Sequence, residues 1–128
     1  MNFTLPKNLT KTKEFEVKEQ HIADFLGSGK VSVLSTPSMI LFMEQTAMLA
    51  AKDQLPEGWI TVGTRVDIKH LKASKLGATI SVKASLKKQE DKHLVFTVEA
   101  YCEKELIGSG IHERHIVNKE KFLARLKE

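Results

Sequence analysis

Ser35-Thr36-Pro37-Ser38-Met39-Ile40-Leu41-Phe42-Met43-Glu44-Gln45-Thr46-Ala47-Met48-Leu49-Ala50-Ala51-Lys52-Asp53-Gln54 is the stretch around which the rest of the chain must fold. Thr36 is a good N-cap and Pro37 suits the first helical position, so a helix begins here. Pro56 and Gly58 end it beyond Asp53 or Gln54. Its apolar residues, Met39 to Met43 and Ala47 to Ala51, leave almost no wet face, and such a helix is buried. One curved antiparallel sheet covers only part of it. The remainder must meet a second surface, and the simplest is a second copy of the chain.

Strands surround this helix in the sequence. Before it, residues 8–17 alternate loosely and read as an edge strand, and 20–26 as a short helix ended by Gly27-Ser28-Gly29. After it, 59–71 alternates with Ile60, Val62, Thr64, Val66, Ile68 and His70 on one face. Residues 78–88 repeat the pattern with Ile80, Val82, Ala84 and Leu86 inward. Residues 93–102 do so with Leu94, Phe96, Val98 and Ala100. Polar turns at 89–92 and 103–104 lead into a last strand, 105–117, and an amphipathic C-terminal helix, 118–128. The order predicts a single α+β domain over residues 1–128, a meander sheet with one long helix.

Composition narrows the function. The one cysteine, Cys102, excludes an internal disulfide and a multi-cysteine zinc site, and reads as a packing residue in a reduced, cytoplasmic protein. No apolar run approaches the roughly 18 residues of a membrane span, and the first residues lack the apolar core of a signal peptide. The net charge of +4 comes from scattered lysines, and one Trp with one Tyr makes a poor base-stacking platform. Neither nucleic acid nor membrane is an expected partner. His112-Glu113-Arg114-His115 is no metal motif, because strand residues three apart face opposite ways. Gly108-Ser109-Gly110 lacks the remainder of a dinucleotide loop, and its glycines mark a bulge or a close backbone approach. No metal or redox cofactor is implied.

Three residues break their local patterns. Glu44 shares its helix face with Ile40, Leu41, Ala47 and Met48. A carboxylate among hydrocarbon either pairs, with Arg65, Lys69 or another base across the sheet, or serves catalysis. His70 ends an otherwise apolar row, as a hydrogen-bonded rim residue or as a partner for Glu44. Thr36 caps the helix, at an end whose free N–H groups also suit a carbonyl or an anion.

These residues carry a resemblance. Ser35-Thr36-Pro37 through Met43-Glu44-Gln45-Thr46-Ala47, Val62-Gly63-Thr64 through Ile68-Lys69-His70, and Gly108-Ser109-Gly110-Ile111-His112-Glu113-Arg114 resemble the fluoroacetyl-CoA thioesterase-like family of hotdog-fold enzymes over essentially the whole chain. The resemblance implies a homodimer in which an antiparallel sheet wraps one central helix, and which hydrolyses a short acyl thioester of coenzyme A. It implies catalytic Thr36, Glu44 and His70, and Gly63 beside the thioester with Thr64 next to it, at a dimer interface. Lys69, Lys72, Lys75 and Arg114 are then candidates for the phosphates of coenzyme A, which is substrate and not cofactor. Fluoroacetyl-specific members carry an aromatic-rich run before the threonine, whereas residues 27–34 here have no aromatic. An acyl-CoA-binding module without turnover and a hotdog dehydratase are the alternatives.

Overall fold

Ser35, not Thr36, caps the long helix. Its backbone is extended and its hydroxyl accepts the Ser38 N–H at 3.1 Å, a cap that contributes about 1 kcal/mol. Thr36 becomes the first helical residue, which leaves its side chain free for another partner. The computed structural model describes residues 3–27 and 30–127. Its helices are α1 (Ala23–Leu26), α2 (Thr36–Lys52) and α3 (Lys119–Arg125). Its strands are β1 (Thr10–Glu16), β2 (Trp59–His70), β3 (Thr79–Glu90), β4 (His93–Cys102) and β5 (Glu105–Asn118). The short helix expected over 20–26 is divided into a single 3-10 turn, Glu19–His21, and α1, which closes on Gly27 at φ 74°. Ser28 and Gly29, expected to complete that stop, lie outside the described residues, as do Met1, Asn2 and Glu128.

All strand pairs are antiparallel, in the order β1-β3-β4-β5-β2. The expected meander therefore holds for β3, β4 and β5 only. β1 occupies the outer edge of β3, so β2 crosses to the far side of the sheet and pairs with β5. The connection between β2 and β3 passes the start of α2, where the Leu34 N–H donates to the Ser74 carbonyl at 2.8 Å.

The inward rows of β3 and β4 are as the alternation predicts: Ile80, Val82, Ala84, Leu94, Phe96, Val98 and Ala100 are fully buried. Helix α2 lies against them with a stripe of Met39, Phe42, Met43, Thr46, Ala47, Ala50 and Ala51, at the three- and four-residue spacing of one helix face. The other face keeps Leu41 45% exposed, so the sheet of one chain leaves apolar helix surface uncovered.

β2 departs from its expected alternation. A bulge between Gly63 and Arg65 inserts Thr64 as an unpaired residue and reverses the phase of the strand. Residues opposite one another on paired strands share a face. Thr61 and Gly63 lie across from Ile116 and Arg114, whereas after the bulge Val66 and Ile68 lie across from His112 and Gly110. Ile60, Val62 and Thr64 therefore turn outward, not inward as a strict period of two requires. Gly110 is needed where it stands, because a Cβ there would collide with the Asp67 backbone.

Candidate active site

At the start of α2, the Thr36 hydroxyl lies 2.8 Å from Nδ1 of His70. The two line an open cleft of about 560 Å³ with Leu34, Ser35, Pro37 and Lys72. Pro37 has no N–H and that of Ser38 is held by Ser35, so the Thr36 N–H is the free donor of this helix end among the described residues. Nε2 of His70 is buried without a hydrogen-bond partner among the described residues. With the Thr36 O–H donating to Nδ1, the imidazole is neutral and presents Nε2–H. Burial holds the His70 pKa below the usual histidine range, against a smaller opposing effect of the nearby Lys72 backbone.

Glu44 lies eight residues farther along α2, about 12 Å of helix axis from Thr36. It faces the Gly63 end of β2. A Cβ built on Gly63 would sit 3.1 Å from Glu44 Oε2, 3.3 Å from His112 Cε1 and 3.4 Å from Arg114 NH1, so the missing side chain makes a hollow on which all three converge. Neither Arg65 nor Lys69 pairs with Glu44. Arg65 instead binds Glu113 at 2.8 Å and Asp67 at 3.4 Å on the outward face. Among the described residues, no cation stands within 4.0 Å of the Glu44 carboxylate, and it accepts no hydrogen bond.

Beneath the hollow, Arg114 is 7% exposed. Its Nε donates to Thr61 Oγ1 at 2.8 Å, NH2 to the Thr61 carbonyl at 3.0 Å and NH1 to His112 Nε2 at 3.1 Å. Nδ1 of His112 lies 2.8 Å from the Arg65 carbonyl. A carbonyl only accepts and a guanidinium only donates, so His112 is the neutral tautomer with its proton on Nδ1. Burial is the main cause that lowers the His112 pKa. Burial also pulls the Arg114 pKa down, and the Glu44 charge pulls it the other way.

The structure thus joins Thr36 to His70, and Glu44 to Gly63, as two halves at opposite ends of β2. Arg114 is corrected: it is an inward residue of the second half, with three donors already engaged, and is not available to a phosphate at the surface. Thr64 is corrected as well, because the bulge turns it to an outer groove with Trp59, Val62 and Phe122. Lys69 alternates with His70 and is exposed. Lys72 lines the Thr36 cleft while bound to Glu105 at 3.0 Å, and Lys75 is exposed on the connection beyond. Thr61 and His112 were missed as site residues. Counting back by twos from Ile116 reaches Arg114 and His112, and would have found the latter.

The two lowered histidines make stability depend on pH. Unfolded, each returns to about 6.5. Below that pH the unfolded chain binds protons that the folded state resists, so stability present above 6.5 is lost as pH falls through the lower folded values. The melting temperature should therefore fall between about pH 7 and pH 5, and less so in a folded His112→Gln protein. An equal fall in both proteins would count against this assignment.

An antiparallel sheet curled over one long helix, with its polar residues gathered along the edge strand, defines a hotdog-fold protein of the thioesterase superfamily. A model of the family described as fluoroacetyl-CoA-specific thioesterase matches residues 17–120, and the chain belongs to that family. It is 33% identical over 96 residues to a fluoroacetyl-CoA thioesterase of Streptantibioticus cattleyicolor, covering 75% of this chain and 69% of that one. The structure is similar to that of a point variant of the fluoroacetyl-CoA-specific thioesterase FlK in complex with fluoroacetate and CoA. There the TM-score is 0.86 with 28% identity, over 92% of this chain and 99% of that one. A thioesterase superfamily member of Thermus thermophilus gives 0.89 with 29% identity, over 97% and 92%.

Proposed function

We propose that this chain is a thioester hydrolase that cleaves a short-chain acyl thioester of coenzyme A at a site completed by a second copy of itself. The observation that carries the reading is the Glu44 carboxylate, half-buried above Gly63 with both oxygens unengaged among the described residues. A carboxylate so placed has all its lone pairs available to a substrate or a water.

The second copy follows from β2. It is an edge strand, its run from Gly63 to Asp67 is exposed, and Val66 at its middle is 46% exposed. An edge strand whose outer N–H and C=O groups have no strand neighbour is a template for pairing. An antiparallel pairing centred on Val66 brings the His70 end of each β2 alongside the Gly63 end of the other. The same second copy is the candidate cover for the exposed Leu41. Each site then takes Thr36 and His70 from one copy and Glu44 from its partner.

In such a site Glu44 activates attack on the thioester carbonyl, as general base on water or by direct attack. The N–H groups near Gly63 and at Thr36 face the developing oxyanion. The C–S bond then breaks, and the departing thiolate takes the proton that Glu44 removed from the attacking water (in direct attack, the water that later hydrolyses the mixed anhydride supplies it). The hydrogen-bonded Thr36–His70 pair stabilises the charge as it develops on sulfur. Lys72, which lines the cleft, and the exposed Lys75 farther along the same connection are the candidates for the nucleotide phosphates of coenzyme A. The absence of aromatic residues from 27–34 supports a small unhalogenated or branched acyl group over fluoroacetyl.

A thiol-release screen over acetyl, branched, aromatic and fluorinated acyl-CoA esters tests this directly. Turnover of short unhalogenated esters is expected. A protein that is thermally stabilised by acyl-CoA but releases no thiol would overturn it in favour of a binding module, and hydration of enoyl-CoA would identify a dehydratase.

A further inference from the structure

The mechanism uses the Glu44 carboxylate and leaves the polar cluster under it unassigned. We infer that Thr61, His112 and Arg114 form a positioning set that holds a positive charge near Glu44 while keeping it off the carboxylate. The inference rests on the reading of Glu44 as the activating group.

The order of contacts runs in one direction. The Arg65 carbonyl, immediately after the bulge, fixes His112 in the tautomer whose Nε2 accepts. His112 then holds NH1 of Arg114, while Thr61 holds Nε and NH2. Three of the five N–H donors of the guanidinium are engaged in this way. Without these anchors, Arg114 has a free carboxylate close by, across the hollow at Gly63. A bidentate arginine–carboxylate pair is among the stronger contacts available in a protein interior. Its formation would occupy the oxygens that must take a proton or attack the substrate. The anchors therefore protect the carboxylate, and Arg114 contributes its field without its hydrogen bonds. Burying three polar side chains under a catalytic edge strand has a desolvation cost that a purely apolar core would avoid, and this role accounts for their presence.

Thr61→Val and His112→Phe each remove an anchor with little change in volume. Both should lower kcat by about 10- to 100-fold, the size of loss seen when an outer partner of an active-site group is removed. KM should change by less than about threefold, because neither residue meets the substrate. Thr61→Ser and His112→Gln, which retain an acceptor, should recover most of the lost kcat. A merely structural role would instead lower the melting temperature and leave kcat per folded enzyme unchanged. If His112→Phe does not fold, the Thr61→Val and Thr61→Ser pair decides alone. Wild-type kcat in folded Thr61→Val, alongside an inactive Glu44→Gln enzyme, would overturn the inference and leave the proposed function standing. Full activity in Glu44→Gln would remove both.

Discussion

A Glu44→Gln enzyme should fold as the parent does and lose kcat by about 10²- to 10⁴-fold, the range that general base action contributes. The substitution keeps the volume of the side chain and removes only its charge and basicity. Glu44 holds no ion pair and accepts no hydrogen bond among the described residues, so no partner is left stranded by the change. The usual cost of removing one member of a buried pair does not arise. Stability should change little, because the relief of a half-buried charge is offset by loss of the Glu44 field that favours the buried Arg114 cation. The measurement is kcat on the best ester from the thiol-release screen, with the melting temperature recorded in parallel. Unchanged kcat would show that attack does not depend on this carboxylate.

A second large effect is expected from subunit mixing. Glu44→Gln and His70→Ala homodimers should each be nearly inactive. Unfolded together and refolded, half of the dimers become hybrids, in which one site is assembled wholly from native residues. Activity should return to about a quarter of that of the parent. The recovery follows from the geometry: Thr36 and His70 touch within one chain, while Glu44 stands about two helical turns away. If the mixture stays as inactive as its components, each site draws all its groups from one chain. Val66→Asp provides the converse check. Placing a charge at the centre of the exposed edge should yield a monomer with little activity, measured by light scattering together with thiol release.

Much of this arrangement was legible in the sequence because two periods carry it. The buried stripe of α2 and the rows of β3 and β4 follow from spacing alone, and Glu44 and His70 were found as exceptions to those spacings. What spacing does not contain is where a strand loses count. The bulge at Thr64 leaves no mark in the pattern of apolar residues, since Val62 and Val66 remain equally apolar on either side of it. It nonetheless moves Thr64 outward, turns Gly63 toward the helix and sets His112 beside the Arg65 carbonyl. The N-cap was misplaced by one residue for a related reason. Ser35 and Thr36 are equally capable of capping, and the choice is made by His70, far away in sequence, which takes the threonine hydroxyl. Arg114 was read as a surface cation because arginines seldom lie buried, and its inward position depends on pairing with Gly63, the one residue of β2 small enough to leave room.

The crossing of β2 to the far edge of the sheet has a consequence for biosynthesis. β2 is translated before β3, β4 and β5, yet its hydrogen-bonding neighbour is the last of them. At typical elongation rates of about 5–20 residues per second, its backbone waits some seconds on the ribosome with no mate, while the β3–β4 hairpin can already close. The nascent polypeptide therefore carries an unmated edge until its final strand emerges, and coaggregation is most favoured in that interval.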